Sequence, residues 1–175
     1  IYSKDDLTFK GKGTLIVNGN YQDAVVSKDD IKINNGTLQI NAADDGIRGK
    51  DSVTIGNADD TDFSTLNVTV NAEAGDGIKS TNTDTTSGKG CITVNGGTVN
   101  ITAYSDAMHA SQILNVNNGD LTLKTTAAQS SSGGNQQPGG PGSWGGSSGG
   151  TTTTDDTSAK GVKAGCTDDS GTTIE

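Results

Sequence analysis

The sequence predicts an all-β fold, a parallel β-helix (β-solenoid) of about six coils. Three observations predict it. First, a short peptide, Asp-Gly/Ala-aliphatic, recurs as Asp23-Ala24-Val25, Asp45-Gly46-Ile47, Asp76-Gly77-Ile78 and Asp106-Ala107-Met108. It returns as Lys160-Gly161-Val162, with a base in place of the acid. Second, another phrase trails it, as Ser3-Lys4-Asp5-Asp6, Ser27-Lys28-Asp29-Asp30 and Gly49-Lys50-Asp51-Ser52. Third, only 29% of the 175 residues are hydrophobic and 3% aromatic. A conventional globule would struggle on that composition. A narrow solenoid needs only a thin file of aliphatic side chains per coil, with backbone bonds between coils supplying the rest.

Each coil reads as three strands. The first kind is Leu7-Thr8-Phe9, Ile31-Lys32-Ile33, Val53-Thr54-Ile55, Ile92-Thr93-Val94 and Leu114-Asn115-Val116. The second is Leu15-Ile16-Val17, Leu38-Gln39-Ile40, Leu66 to Val70, Val99-Asn100-Ile101 and Leu121-Thr122-Leu123. Both are short, β-branched and alternating in polarity. The third is the aliphatic piece after each Asp-Gly/Ala. Between the first two kinds stand Asn34-Asn35-Gly36, Asn95-Gly96-Gly97 and Asn117-Asn118-Gly119, residue types that tolerate the positive φ of tight corners. Gly56 to Phe63 and Thr81 to Gly90 swell two corners. Gln129 to Ser158, rich in Gly, Ser, Thr and Pro, reads as a loop insertion within a single domain spanning residues 1–175, because the repeat resumes at Lys160. Its Trp144 is a sugar platform or an anchor that docks the loop.

The net charge of −9 excludes nucleic acid as a partner and suits divalent cations. No run reaches transmembrane length. The chain opens directly in a repeat with no signal peptide, so a leader is expected to have been removed or to lie outside it. Cys91 and Cys166 could pair in an extracellular protein, but a full coil separates them and free thiols are the favoured reading.

Stacked coils lie about 4.8 Å apart. In register, Asp23, Asp45, Asp76 and Asp106 form one column. Asp5, Asp29 and Asp51 form a second, continued by Asn82. Neighbouring charges at that spacing repel by roughly 1 kcal/mol in water and about 3 kcal/mol at an effective dielectric near 20. Lys4, Lys28 and Lys50 point to the opposite face from their Asp neighbours, so the acids need another neutraliser. Ca²⁺ takes six to eight oxygens and tolerates irregular geometry, and the two columns are expected to converge at neighbouring corners and hold ions between coils. Zinc and copper are poorly served by one His and two distant Cys. The competing reading is that these acids cap turns by accepting from backbone amides. The group Asn57, Asp59, Asp60 and Asp62 lacks the Gly and closing Glu of an EF-hand and reads as a solvated loop. A third column, Arg48, Lys79, His109 and Lys163, is expected to face outward, able either to grip the carboxylates of an acidic polymer or to pair with nearby Asp.

The phrases at residues 3–7, 42–53 and 75–82, with Ser158 to Ala164 after the Gly-rich insertion, closely resemble a family of secreted bacterial carbohydrate-binding domains. That family is typified by a clostridial surface protein with a polysaccharide-lyase-like, right-handed β-helix. The resemblance implies an extracellular module in which Asp motifs bind calcium and plant cell-wall polymers such as cellulose and polygalacturonate are held. The acids that match are Asp5, Asp6, Asp29, Asp30, Asp44, Asp45, Asp51 and Asp76. The pattern departs at Asp106-Ala107-Met108-His109, where Gly-Ile and Lys are usual.

Three functions follow as expectations. The first is a calcium-stabilised, non-catalytic module for cell-wall polysaccharide, with an acidic glycan favoured over cellulose by the scarcity of aromatic rings. The second is a structural protein stacking end-to-end into a surface fibre through open coil edges. The third is a pectate-type lyase with Lys79 or Arg48 as base, which the unbroken repeat disfavours.

Overall fold

The computed structural model describes residues 1–85, 88–127 and 159–165. The 129–158 insertion with its Trp144, and Cys166, lie outside them. The described residues form sixteen strands and no helix. Coil by coil these are β1 (Tyr2–Ser3), β2 (Leu7–Phe9) and β3 (Thr14–Gly19); β4 (Val25–Ser27), β5 (Asp30–Ile33) and β6 (Gly36–Ala42); β7 (Ile47–Gly49), β8 (Ser52–Ile55) and β9 (Leu66–Ala72). Then come β10 (Ile78–Ser80), β11 (Cys91–Val94) and β12 (Thr98–Ala103); β13 (Met108–Ala110), β14 (Leu114–Val116) and β15 (Asp120–Thr125); and finally β16 (Val162–Ala164). Every third strand pairs in parallel, which makes three sheets: a short-stranded sheet β1-β4-β7-β10-β13-β16, a middle sheet β2-β5-β8-β11-β14 and a long-stranded sheet β3-β6-β9-β12-β15. This is a parallel β-helix whose coils follow the repeat.

In-register pairing stacks like on like. Val25, Ile47, Ile78, Met108 and Val162 form one inward file. Ile31, Val53, Ile92 and Leu114 form another, and Ile40, Val70 and Ile101 a third. All but Val162 are buried. Each such side chain contributes roughly 1.5–3 kcal/mol by leaving water, so a thin core suffices. Alternation places Arg48, Lys79 and His109 one residue further along, on the outer face.

The structure adds three points to the sequence reading. Tyr2–Ser3 adds a short strand to the first coil, pairing with Val26 and Ser27 although no Asp-Gly phrase precedes it. In the turns, Gly36, Gly97 and Gly119 carry the positive φ, and no Asn does. Instead the asparagines bond along the stack: Asn117 Nδ2 donates to Asn95 Oδ1 at 2.8 Å, and Asn95 Nδ2 donates to the Gly56 carbonyl. Gly46 and Gly77 are not left-handed either. They are small because the next coil presses on them. A Cβ on Gly77 would meet Ile101 Cγ2 at 2.2 Å and the Ala107 carbonyl oxygen at 2.6 Å.

The corner expansions lie where expected. In the first, Phe63 packs against the core and against Gly56 and Gly96. Its acids behave as a solvated loop: Asp62 Oδ1 accepts from the Ser64 amide at 2.9 Å, which lowers its pKa, and Asn57 bonds Asp60. Cys91 is half-buried, its thiol donating to the Lys89 carbonyl, and burial pushes that thiol's pKa up.

A candidate acid–base ladder and a carboxylate cluster

The first Asp column sits where the chain enters each short strand. There the backbone amide of each column residue faces the carboxylate of the coil before it. The Asp45 amide donates to Asp23 Oδ1 (3.2 Å), Asp76 to Asp45 Oδ1 (2.8 Å), Asp106 to Asp76 Oδ1 (2.9 Å) and Lys160 to Asp106 Oδ1 (2.8 Å). One oxygen of every acid is thus spent on the corner, as the turn-capping reading expected. Asp45, Asp76 and Asp106 are buried, and no buried side-chain polar atom among the described residues lacks a partner.

The second oxygen faces the bases. Arg48, Lys79 and His109 each stand three residues after an acid and reach back to that acid and to its neighbour in the stack, while Lys163 follows Lys160 and reaches the acid of the coil before it. Arg48 bonds Asp23 Oδ2 through both Nε and Nη2 and lies 3.7 Å from Asp45 Oδ2. Lys79 Nζ lies 2.7 Å from Asp76 Oδ2 and 3.7 Å from Asp45 Oδ2. His109 Nδ1 lies 3.2 Å from Asp76 Oδ2 and 3.7 Å from Asp106 Oδ2, and Lys163 Nζ lies 3.8 Å from Asp106 Oδ2. Acids and bases therefore interleave in one continuous ladder. The neutraliser that the column required is supplied largely by its own neighbouring file.

The distances decide the electrostatics. Burial pushes the Asp45 carboxyl above the usual carboxylate range, against the Asp76 amide and the more distant Lys79 charge. Burial also opposes ionisation of Asp76, yet hydrogen bonds from His109 and Lys79 hold it well below that range. Burial works against the Lys79 ammonium too, but its hydrogen bond to Asp76 and the charges of Asp45 and Asp76 raise its pKa. For Asp76 the hydrogen bonds from His109 and Lys79 together outweigh desolvation, whereas for Asp45 the Lys79 charge at 3.7 Å does not.

The second column sits where the chain leaves each short strand, and its surroundings differ. Asp5, Asp6 and Asp29 bring carboxylate oxygens within 4.8 Å of one another, with Asp5 and Asp6 exposed. The Asp29 carboxyl is raised by a hydrogen bond with Asp51, by burial, and by the like charges of Asp51, Asp6 and Asp30. Asp51 is lowered by Asn82, which continues the column as expected, and by Lys89, whose Nζ lies 3.3 Å away. Asp30 accepts from the Ser52 hydroxyl at 2.8 Å and lies 3.6 Å from Lys32. Asp44 stands at the first column instead, exposed, lining a shallow cleft with Gln22, Asp23, Asp45, Arg48 and Lys79.

The expected convergence of the two columns does not occur. The groups of three or more potential ligands among the described residues are Asp76, Asp106 and His109 on one side and Asp5, Asp6 and Asp29 on the other, and neither mixes columns. The short strand holds its two ends apart. Lys79 and Lys163 already contact the first group. The second, a crowd of like charges, has the donor chemistry that suits a hard cation.

Two features escaped the sequence reading. Lys89, inside a corner expansion, partners Asp51. Asn71, Asn41 and Asn18 form a second amide ladder, Nδ2 to Oδ1 at 3.0 and 2.9 Å. The signal for the ladder was present, because each Asn directly follows the branched aliphatic residue, Val17, Ile40 or Val70, near the end of its long strand.

Comparison with known proteins agrees with this picture. The family described as carbohydrate-binding domain-containing protein matches residues 1–171. A carbohydrate-binding domain-containing protein of Acetivibrio thermocellus is 43% identical over 42 residues, 24% of this chain and 15% of that protein. A solved structure of a polysaccharide lyase-like protein from C. thermocellum, a gadolinium derivative, superposes with a TM-score of 0.64 at 35% identity. The superposition covers 73% of this chain and 47% of that one, so the chain spans less than half the length of either relative.

Proposed function

Since the chain belongs to the family of carbohydrate-binding domain-containing proteins, we propose that it is an extracellular, calcium-binding module that holds cell-wall polysaccharide without cleaving it. The favoured ligand is an acidic, polygalacturonate-like glycan, with cellulose as the alternative. One arrangement carries the reading: a narrow sheet edged on one side by the ladder of Arg48, Lys79, His109 and Lys163 with their acids, and on the other by the Asp5–Asp6–Asp29 cluster. The ladder offers fixed donors and acceptors to sugar hydroxyls. Side chains of Arg48 and Lys79 keep 36% and 29% of their surface in water, enough to meet a ligand carboxylate.

Asp5, Asp6 and Asp29 would hold the calcium, which supplies positive charge for a uronate carboxylate. The related solved structure is a gadolinium derivative, and gadolinium is a hard cation of the same oxygen-seeking class. Absence of catalysis is supported by the state of the two candidate bases. Lys79 is held as an ammonium, and Arg48 is bound to Asp23 through two nitrogens. Neither is poised to take a proton.

Calorimetric titration of polygalacturonate and of cello-oligosaccharides, with calcium and with EDTA, tests the proposal. Uronate binding abolished by EDTA is expected, with no unsaturated product in the ultraviolet after prolonged incubation. Failure to bind any of these glycans with calcium present would reject it.

A further inference from the structure

The outer face of the long-stranded sheet is built differently from that of the short-stranded one. The short sheet presents Arg48, Lys79, His109 and Lys163 in a row. On β3, β6, β9 and β12 every outward residue is Thr, Asn, Gln or Ile. In-register pairing lines these up in three files along the solenoid axis. Charge returns only on β15, with Asp120 and Lys124. One file, Asn18–Asn41–Asn71, is already ordered by its own amide ladder. Asn41 donates one hydrogen to Asn18 Oδ1 and accepts one from Asn71 Nδ2. That leaves it one N–H and one lone pair without a partner among the described residues. Gln39 and Asn100 stand exposed in the middle file, which begins at the exposed Ile16. One edge of the face drops into a depression of about 300 Å³ lined in part by Asp62, Ser64, Thr98 and Asp120.

We propose that this face is a second glycan site, for a neutral chain of the cellulose type laid along the solenoid axis, and that it works without calcium. The inference rests on the glycan-binding reading above and divides its two candidate ligands between two faces. The uronate belongs to the ladder and the calcium cluster, and the neutral glucan belongs here. Charge decides the assignment. A polyuronate finds no cation on these four strands, and it meets Asp62 and Asp120 at the border, which repel it. The same carboxylates accept from the hydroxyls of a neutral sugar. A hydroxyl both donates and accepts, so a free N–H beside a free lone pair on one amide answers two neighbouring hydroxyls. Coils repeat about every 4.8 Å, and a chain along the axis meets the same kind of pair on successive coils. The amide ladder fixes its side chains in advance, so binding orders little that was free. Three strand steps from β3 to β12 cover about 14 Å, and the outward positions of one strand span about 13 Å. The face therefore suits an oligosaccharide better than a single sugar. A second copy of the chain is the competing occupant, and the net charge of −9 on each copy opposes it.

The test titrates the whole chain with cellohexaose and with a galacturonate hexamer by calorimetry, in calcium and in EDTA. Wild type is measured beside Gln39→Ala, Asn41→Ala, Asn100→Ala and Arg48→Ala, with circular-dichroism melts to check the fold of each. Gln39 and Asn100 are exposed and lie outside the amide ladder, so their variants remove contacts and leave the stack intact. The expected result is a cellohexaose affinity that is the same in calcium and EDTA, falls about tenfold in each face variant and is unmoved by Arg48→Ala. Uronate affinity is expected to stay at the wild-type value in all three face variants. If cellohexaose binding is lost in EDTA or in Arg48→Ala while the face variants bind like wild type, both glycans share the ladder site. The second face is then overturned and the glycan reading stands. Binding of the uronate alone has the same consequence. If cellohexaose does not bind and sedimentation shows dimers that Gln39→Ala dissolves, the face belongs to a second copy and the proposal is overturned. If wild type binds neither hexamer, the glycan reading fails and the second face fails with it.

Discussion

At the scale of single residues, the column acids show how one carboxylate can serve two partners. Asp76 gives Oδ1 to the Asp106 amide and Oδ2 to Lys79 and His109. An amide side chain can replace the first role and not the second. Asp76→Asn is therefore expected to lose about 1–3 kcal/mol, and Asp76→Ala more, because it also orphans a buried amide; urea unfolding would rank them. The pH dependence follows from the shifts. Asp76 is depressed in the folded state, so its contribution is present above the ordinary aspartate range and is lost as the solution is acidified through and below it. Asp45 is raised and works in the opposite sense, gaining as pH falls. Lys79 is raised, so its contribution persists to the ordinary lysine value and fades as pH climbs past it. Thermal melts of Asp76→Asn should show a shallower loss of stability than wild type between about pH 4 and 2; an unchanged acid limb would contradict the assignment. The sequence exposed both the acid file and the base file. It offered pairing with nearby Asp as one of two uses for the bases but not which acid each meets, because alternation fixes the side of a strand on which a side chain emerges and says nothing of where a long, flexible stem ends.

At the scale of the elements, stacking turns small sequence choices into repeated contacts. The Asn18–Asn41–Asn71 ladder and the serine column work in this way. Ser27 Oγ donates to the Asp5 carbonyl and Ser80 Oγ to that of Asp51, tying β4 and β10 to the corner of the coil before each. Crowding has the same origin. Gly77→Ala is expected to destabilise by about 1–3 kcal/mol through overpacking against Ile101 and the Ala107 carbonyl. The equivalent Ala107 already carries its Cβ, so Ala107→Gly is expected to cost only about 0.5–1 kcal/mol of backbone freedom. Equal effects in denaturant melts would argue against crowding. All five strands of each longer kind were legible as short β-branched runs. Tyr2–Ser3 was not, because two residues carry no period and only pairing with Val26 and Ser27 makes them a strand.

At the scale of the molecule, the two Asp columns are separate devices at opposite ends of the short strands. One is neutralised from within the chain, and the other crowds like charges together. Calcium is therefore expected to raise the melting temperature in proportion to the logarithm of its concentration once the site fills. Asp5→Asn combined with Asp29→Asn should abolish that rise, whereas Asp76→Asn should keep it. A melting temperature indifferent to calcium, or a rise lost only with Asp76→Asn, would place the cation elsewhere or nowhere.

The sequence alone determined the solenoid, its period, the three strand kinds and the files of acids and bases, because a parallel in-register stack converts one-dimensional repetition directly into columns. Tertiary structure decided which columns touch. The first acids meet bases from their own coil and the next, whereas in the second column Asp5, Asp6 and Asp29 crowd together and Asp51 meets Asn82 and Lys89. Those outcomes depend on side-chain reach, on the length of a three-residue strand and on which corners share a face. None of these is a property of any single repeat.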